Sequence, residues 1–342
     1  MFWSGVSPVC SANYQGSISE PFSETDWPWL PKGSPKVIRP RNEHTIAAEC
    51  EVAGRGYWSG VPIRVCFRPG EAGSGIRFVR TDLPGQPSVA ASASNSSGQS
   101  MRTNLTRGLA SFEMVEHVMA ALYALEIDNC IVETDAQEMP GLDGSSAAYV
   151  EALQSVGMVM QAAARKRYIV DRVFRLGDPT SWIEVSPSKL GCATFEYRLN
   201  YGDSSPIPAQ SYTHQLTPVN FCRELASART FVTAEQADKL RSSGIGSHVT
   251  NQDLIVFNTE GRVVDNELRY ADECARHKTL DLIGDIAMAG VDLVGTFVSF
   301  RGGHRLNSEA AAMLANFASG SYMSAGTGSQ AGPPISVRSR AA

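Results

Sequence analysis

What the sequence lacks narrows it first. No stretch of its 342 residues reaches the roughly 18–20 uninterrupted apolar positions that a bilayer-spanning helix needs. Positive charge is nowhere concentrated: 30 basic side chains stand against 35 acidic ones, whereas phosphate backbones require a dense basic surface. That argues against nucleic acid as a partner. The charged start and apolar run of a secretory signal are missing before Lys32, the first basic residue, which predicts a protein kept in the cytoplasm. CxxC pairs are also missing. The seven cysteines (Cys10, Cys50, Cys66, Cys130, Cys192, Cys222, Cys274) are odd in number and widely spaced, which predicts small hydrophobes in a reducing compartment, not a disulfide frame or zinc ribbon. With neither a GxSxG elbow nor a Gly-rich loop ending in Lys-Ser or Lys-Thr, a serine hydrolase and a P-loop enzyme are not signalled.

Residues 1–35 mix Ser, Pro and Gly with Trp3, Trp27 and Trp29 and show no period, predicting a loosely held extension. The Gly-, Ser- and Pro-rich stretch 319–342 predicts a tail; its Gly326, Gly328 and Gly332 outline a dinucleotide fingerprint without the strand before or the helix after that would make it one. Between these ends, strand-like runs at 63–67, 76–79, 130–134, 168–170, 182–185, 193–198 and 295–300 alternate with helical spacing over 112–125 and 276–289. The two helical segments hold equivalent places in an apparent duplication. His117 and His277 are 160 residues apart (277 − 117), and each is followed by an apolar helix, an Asp (Asp128, Asp292) and a strand. The same shift brings Gly141-Leu-Asp-Gly144 onto Arg301-Gly-Gly-His304, each leading into an Ala-rich helix. This predicts two similar α/β lobes, 36–165 and 166–318, with a cleft between them.

The chemistry should sit on the second helix. His277, Asp281 and Asp285 recur every four residues and stack on one face of an otherwise apolar segment. Two carboxylates in adjacent buried turns require a compensating cation; the alternative is a solvated acidic face capped by a salt bridge. The i, i+4 pair His277 and Asp281 can offer one metal an imidazole nitrogen and a carboxylate oxygen, and the duplication supplies His117 as a third ligand. Three protein ligands with one open position define a catalytic zinc site; the same donors also accept iron(II). Glu116, beside His117, is the candidate general base. His304, on the Gly302-Gly303 turn, is a candidate acid, and Asp285 the partner that would keep it charged. Lys278 either contacts a negative charge on a substrate or is a solvated neighbour of His277. His44, His214 and His248 have no partner at metal spacing.

Several motifs together carry a family likeness: Val115-Glu-His-Val-Met-Ala-Ala-Leu122, Ile127-Asp-Asn129, Leu142-Asp-Gly-Ser-Ser-Ala147, Ala228-Arg-Thr-Phe231, Arg276-His-Lys-Thr-Leu-Asp-Leu-Ile-Gly-Asp285 and Ser299-Phe-Arg-Gly-Gly-His-Arg-Leu-Asn307. In this order they resemble the UDP-3-O-acyl-N-acetylglucosamine deacetylases, zinc amidases of the committed step of lipid A synthesis, over roughly residues 38–312. The resemblance implies an α+β fold of two two-layer sandwich lobes, packed face to face with zinc between them. It assigns His117, His277 and Asp281 as zinc ligands, Glu116 as general base, and His304 as the acid supported by Asp285. It also implies that Thr230 steadies the oxyanion and that Lys278 and Phe231 contact substrate. Three segments depart from the family: Gly56-Tyr-Trp-Ser-Gly60 replaces Gly-Leu-His-Ser-Gly, Met139-Pro-Gly141 replaces Ile-Pro-Ile, and Gly246-Ser-His-Val-Thr250 stands in the region of the acyl-chain passage. These leave room for another N-acetylated sugar as substrate, or for a nucleotide-sugar-binding regulator that does not turn over.

Overall fold

Alternating side chains build the sheets. In Pro62–Pro69, Ile63, Val65 and Phe67 are buried while Pro62, Arg64 and Arg68 face out, the period of two that a sheet with one covered face demands. The computed structural model describes residues 41–320, so the predicted extension 1–35, Cys10 and the tail glycines Gly326, Gly328 and Gly332 lie outside the described residues.

A first sheet contains β1 (Cys50–Arg55), β2 (Pro62–Pro69), β3 (Ile76–Arg80), β4 (Ser88–Ala90) and β5 (Cys130–Thr134) in the order β1-β2-β5-β3-β4. A second contains β6 (Phe174–Asp178), β7 (Ser181–Ser186), β8 (Thr194–Leu199), β9 (Gln210–Gln215) and β10 (Thr296–Phe300) in the order β6-β7-β10-β8-β9. Position for position the two orders agree. So does the sense of each pairing, with one parallel pair (β5 with β3, β10 with β8) among antiparallel ones. Helices α1 (Glu116–Ala124) and α2 (Ala147–Val156) flank β5; the short α3 (Pro218–Glu224) and α4 (Ala234–Ser242) follow β9; α5 (Glu273–Ile286) and α6 (His304–Ala318) flank β10. The fold is thus α+β with two similar lobes, as the duplicated pattern predicts. The constant shift is not kept: the equivalent strands begin at Cys130 and Thr296, 166 apart (296 − 130), partly because the second lobe inserts the 3-10 turn Ala287–Ala289 after its helix.

The lobes meet through α1 and α5, which cross closely. A Cβ on Gly284 would fall 2.0 Å from the Glu116 carbonyl oxygen, so the crossing requires glycine there. Around it one apolar core runs through both sheets, from Phe67 and Leu122 to Leu280 and Phe297.

The predicted helix 112–125 starts only at Glu116, because Ala110–Glu113 is a strand and Met114 turns the chain at φ 60°. That strand belongs to a three-stranded sheet with Ser96–Gln99 and Arg102–Arg107, which sequence periodicity does not reveal. Also unanticipated is the parallel pair Phe231–Thr233 and Ile255–Phe257, with α4 between its strands and a Thr233–Gln236 capping box at the helix start. Among the described residues no helix is long and apolar enough to cross a membrane.

Candidate active site

The apolar turns of α5 carry their polar face into the interior. His277 and Asp281 are 2% exposed and Asp285 is wholly buried, which excludes the solvated acidic face as a reading of this helix. The crossing brings His117 of α1 over them, with imidazole centroids 5.1 Å apart and rings nearly perpendicular. Nε2 of His117 and Nε2 of His277 each lie 3.4 Å from Oδ1 of Asp281. His277 Nδ1 lies 3.1 Å from the Ala228 carbonyl oxygen, an acceptor that places the ring proton on Nδ1 and leaves the Nε2 lone pair for a ligand. Asp281 Oδ1 is buried with no hydrogen-bond partner. Lys278 Nζ donates to the other oxygen, Oδ2, at 2.6 Å. An orphaned carboxylate oxygen facing two imidazole nitrogens is a donor set for one divalent ion, and all three ligand atoms fall within 4.8 Å of one another. Burial pushes His277 down to about 3, keeping it the neutral ligating form. Burial alone would raise the Asp281 carboxyl, but the neighbouring imidazoles and the Lys278 ammonium hold it well below the usual range.

Two titratable groups flank this cluster. Glu116 opens α1, and its Oε2 accepts the Thr103 backbone N–H at 2.9 Å. Burial raises its carboxyl above the ordinary value. His304 opens α6 with Nδ1 2.9 Å from Asp285 Oδ2. Burial works against its charge, yet the Asp285 carboxylate outweighs it and lifts the imidazole to about 9. Asp285 also accepts from Asn307 Nδ2 at 2.9 Å and from Thr103 Oγ1 at 2.6 Å. No motif read from the sequence singles out Thr103; Asn307 lies at the end of the Ser299–Phe300–Arg301 motif but has no role assigned there.

A cavity of about 910 Å³ opens over the cluster. Glu116, His117, His277, Lys278, Asp281 and His304 reach it from the helices, Thr230 from the turn before the strand Phe231–Thr233, and Phe231 from the start of that strand. Lys278 is therefore a cavity residue paired to Asp281, not a solvated neighbour. On another side the wall is apolar, with Leu240, Ile245, Val249, Leu254 and Val256. Tyr57 and Trp58 also line the cavity, and the Tyr57 hydroxyl donates to the Asp253 carbonyl oxygen at 2.5 Å, tying the first lobe to the segment after α4. The remaining histidines sit elsewhere: His44 beside Arg41 and the Glu126 carbonyl, His214 beside Glu224 and pushed down to about 4 by burial, and His248 with Nε2 2.7 Å from the Gly56 carbonyl oxygen.

The family model described as UDP-3-O-acyl N-acetylglycosamine deacetylase matches residues 43–316. The UDP-3-O-acyl-N-acetylglucosamine deacetylases of Brucella ovis, Brucella abortus and Brucella suis are each 36% identical to this chain over 273 residues, covering 80% of it and 94% of the relative.

Proposed function

The chain belongs to the UDP-3-O-acyl-N-acetylglucosamine deacetylase family, and from that membership we propose that it is a metal-dependent amidohydrolase of the cytoplasm. Its substrate would be a UDP-linked, acylated N-acetylglucosamine, released as the free amine and acetate in the committed step of lipid A synthesis. The observation that carries this reading is the orphaned Asp281 Oδ1 facing two histidine nitrogens at the floor of a large cavity. Zinc, or iron(II), held by His117, His277 and Asp281 would supply a Lewis acid able to acidify water and polarise the acetamide carbonyl. The chain's own groups carry the protons. Ionised Glu116 takes one from the attacking water as its oxygen bonds to the carbonyl carbon. The Thr230 hydroxyl and protonated His304 steady the oxyanion. His304 then gives its proton to the sugar nitrogen as the C–N bond breaks, while Asp285 holds the imidazole by Nδ1 so that Nε2 is the donor. Lys278 and Phe231 contact the substrate. Widely spaced cysteines without a CxxC pair fit a reducing compartment.

Retention of a base, an acid and the acid's carboxylate partner favours turnover over mere binding, which requires none of the three. The deciding experiment measures acetate released from the UDP sugar by the metal-loaded protein beside a Glu116→Ala control. Release lost by about 100-fold or more in the control is expected. Sugar and metal binding without release from the wild-type chain would overturn the proposal.

A further inference from the structure

The proposed base and acid share one neighbour that lies outside every recognised motif. Thr103 is wholly buried in the strand Arg102–Arg107. Its backbone N–H holds Glu116 Oε2 at 2.9 Å, and its hydroxyl holds Asp285 Oδ1 at 2.6 Å. The second Asp285 oxygen is taken by Asn307 Nδ2 and His304 Nδ1, both at 2.9 Å, so among the described residues the Thr103 hydroxyl is the donor to Oδ1. Directly across the hairpin, Thr103 pairs with Gly98, where a Cβ would fall 2.0 Å from the His304 carbonyl carbon. One hairpin therefore bears on His304 twice, against its backbone at Gly98 and through its carboxylate partner at Thr103.

We propose that Thr103 is a positioning residue for the deacetylation, holding Asp285 and Glu116 on one strand so that acid and base keep a fixed separation across the reacting amide. This rests on the roles proposed above for Glu116 and His304. A carboxylate anchored through a single oxygen swings about its broad terminal torsion, and the imidazole it steers swings with it. Donors on both oxygens remove that freedom. Displacements near 1 Å at a reacting group cost on the order of 100-fold in rate, so the hydroxyl matters without touching substrate.

The test compares Thr103→Val, which keeps the shape and loses the donor, with Thr103→Ser, which restores it, in the metal-loaded full chain. Thr103→Val should lower kcat for acetate release by about 10- to 100-fold while KM stays within roughly threefold, and Thr103→Ser should recover to within roughly threefold of wild type. Alongside, the low-field proton resonance of the His304 Nδ1–H, assigned by its loss in His304→Gln, should move or broaden in the Val variant and stay in place in the Ser variant. An unmoved resonance in Thr103→Val overturns the inference, as does a moved resonance with unchanged kcat, or Ser as damaged as Val. Should the wild-type chain release no acetate, the deacetylase reading falls while the resonance still decides whether Thr103 positions His304.

Discussion

Asp281 has one oxygen on Lys278 and the other facing two imidazole nitrogens at 3.4 Å, and His277 spends its ring proton on Ala228. A divalent cation satisfies these lone pairs together in a buried site. Asp281→Ala should weaken metal affinity by more than the roughly 10- to 100-fold that follows loss of a residue merely orienting a ligand, read as metal content after dialysis. Wild-type stoichiometry in that variant would remove Asp281 from the ligand set. The roles proposed for the flanking groups fix the sign of a pH profile. Glu116 must be ionised, and burial raises its carboxyl, so activity climbs with pH from above the ordinary carboxylate range. His304 must be protonated; burial opposes this, Asp285 lifts it to about 9, and activity therefore falls as pH passes about 9. The rate against pH should therefore be a bell. In His304→Ala the rate should drop about 100-fold and the descending limb near pH 9 should vanish. A surviving limb would assign the acid elsewhere.

The spacing of His277, Asp281 and Asp285 on α5 could be read from sequence because i, i+4 geometry is local, and β5 matched its predicted bounds because Cys130, Val132 and Thr134 alternate inward. The three-stranded sheet could not be read. Its strands Ser-Ser-Gly-Gln and Arg-Thr-Asn-Leu-Thr-Arg are polar, and the inward residues of the second are a threonine and one leucine, a pattern indistinguishable from a loop. Thr103 lies in that polar strand and carries no pattern of its own. The α1–α5 crossing offers a test at this scale. On Gly284, a methyl would sit 2.0 Å from the Glu116 carbonyl oxygen and 2.8 Å from its carbon, backbone atoms that cannot turn aside. Gly284→Ala should cost about 1–3 kcal/mol or more in denaturant unfolding and pull Glu116 and His117 away from Asp281, lowering kcat with it. A loss below about 0.5 kcal/mol, the usual range for a neutral surface change, would mean the helices do not cross this closely.

Across the whole molecule the duplication helps make the cluster legible, since the equivalence of the two helices, apart from the family resemblance, joins His117 to a partner 160 residues away (277 − 117). What it could not show is how the halves are tied. Asp128 and Asp292, equivalent residues after α1 and α5, converge on one guanidinium. Arg41 reaches Asp128 at 2.6 and 2.9 Å and Asp292 at 2.8 and 2.9 Å. Pairing between residues 251 apart leaves no local pattern to read. Both carboxylates are largely shielded, at 3% and 14% side-chain exposure, so removing Arg41 strands them in a poor solvent, although Arg165 still reaches each at 2.9 and 3.2 Å and Arg167 reaches Asp292 at 3.3 Å. Breaking a buried pair costs about 3–5 kcal/mol, and the two remaining arginines recover part of that. Arg41→Ala should therefore lower the melting temperature by roughly 5–10 °C. Arg41→Lys should fall between, because an ammonium cannot fork to two carboxylates. Arg41 lies outside the cavity wall, so kcat of the folded variant at low temperature should stay within about twofold of wild type. Unchanged melting would show that the lobes are held by the α1–α5 core alone, and a collapse of kcat without melting would place Arg41 in the catalytic machinery instead.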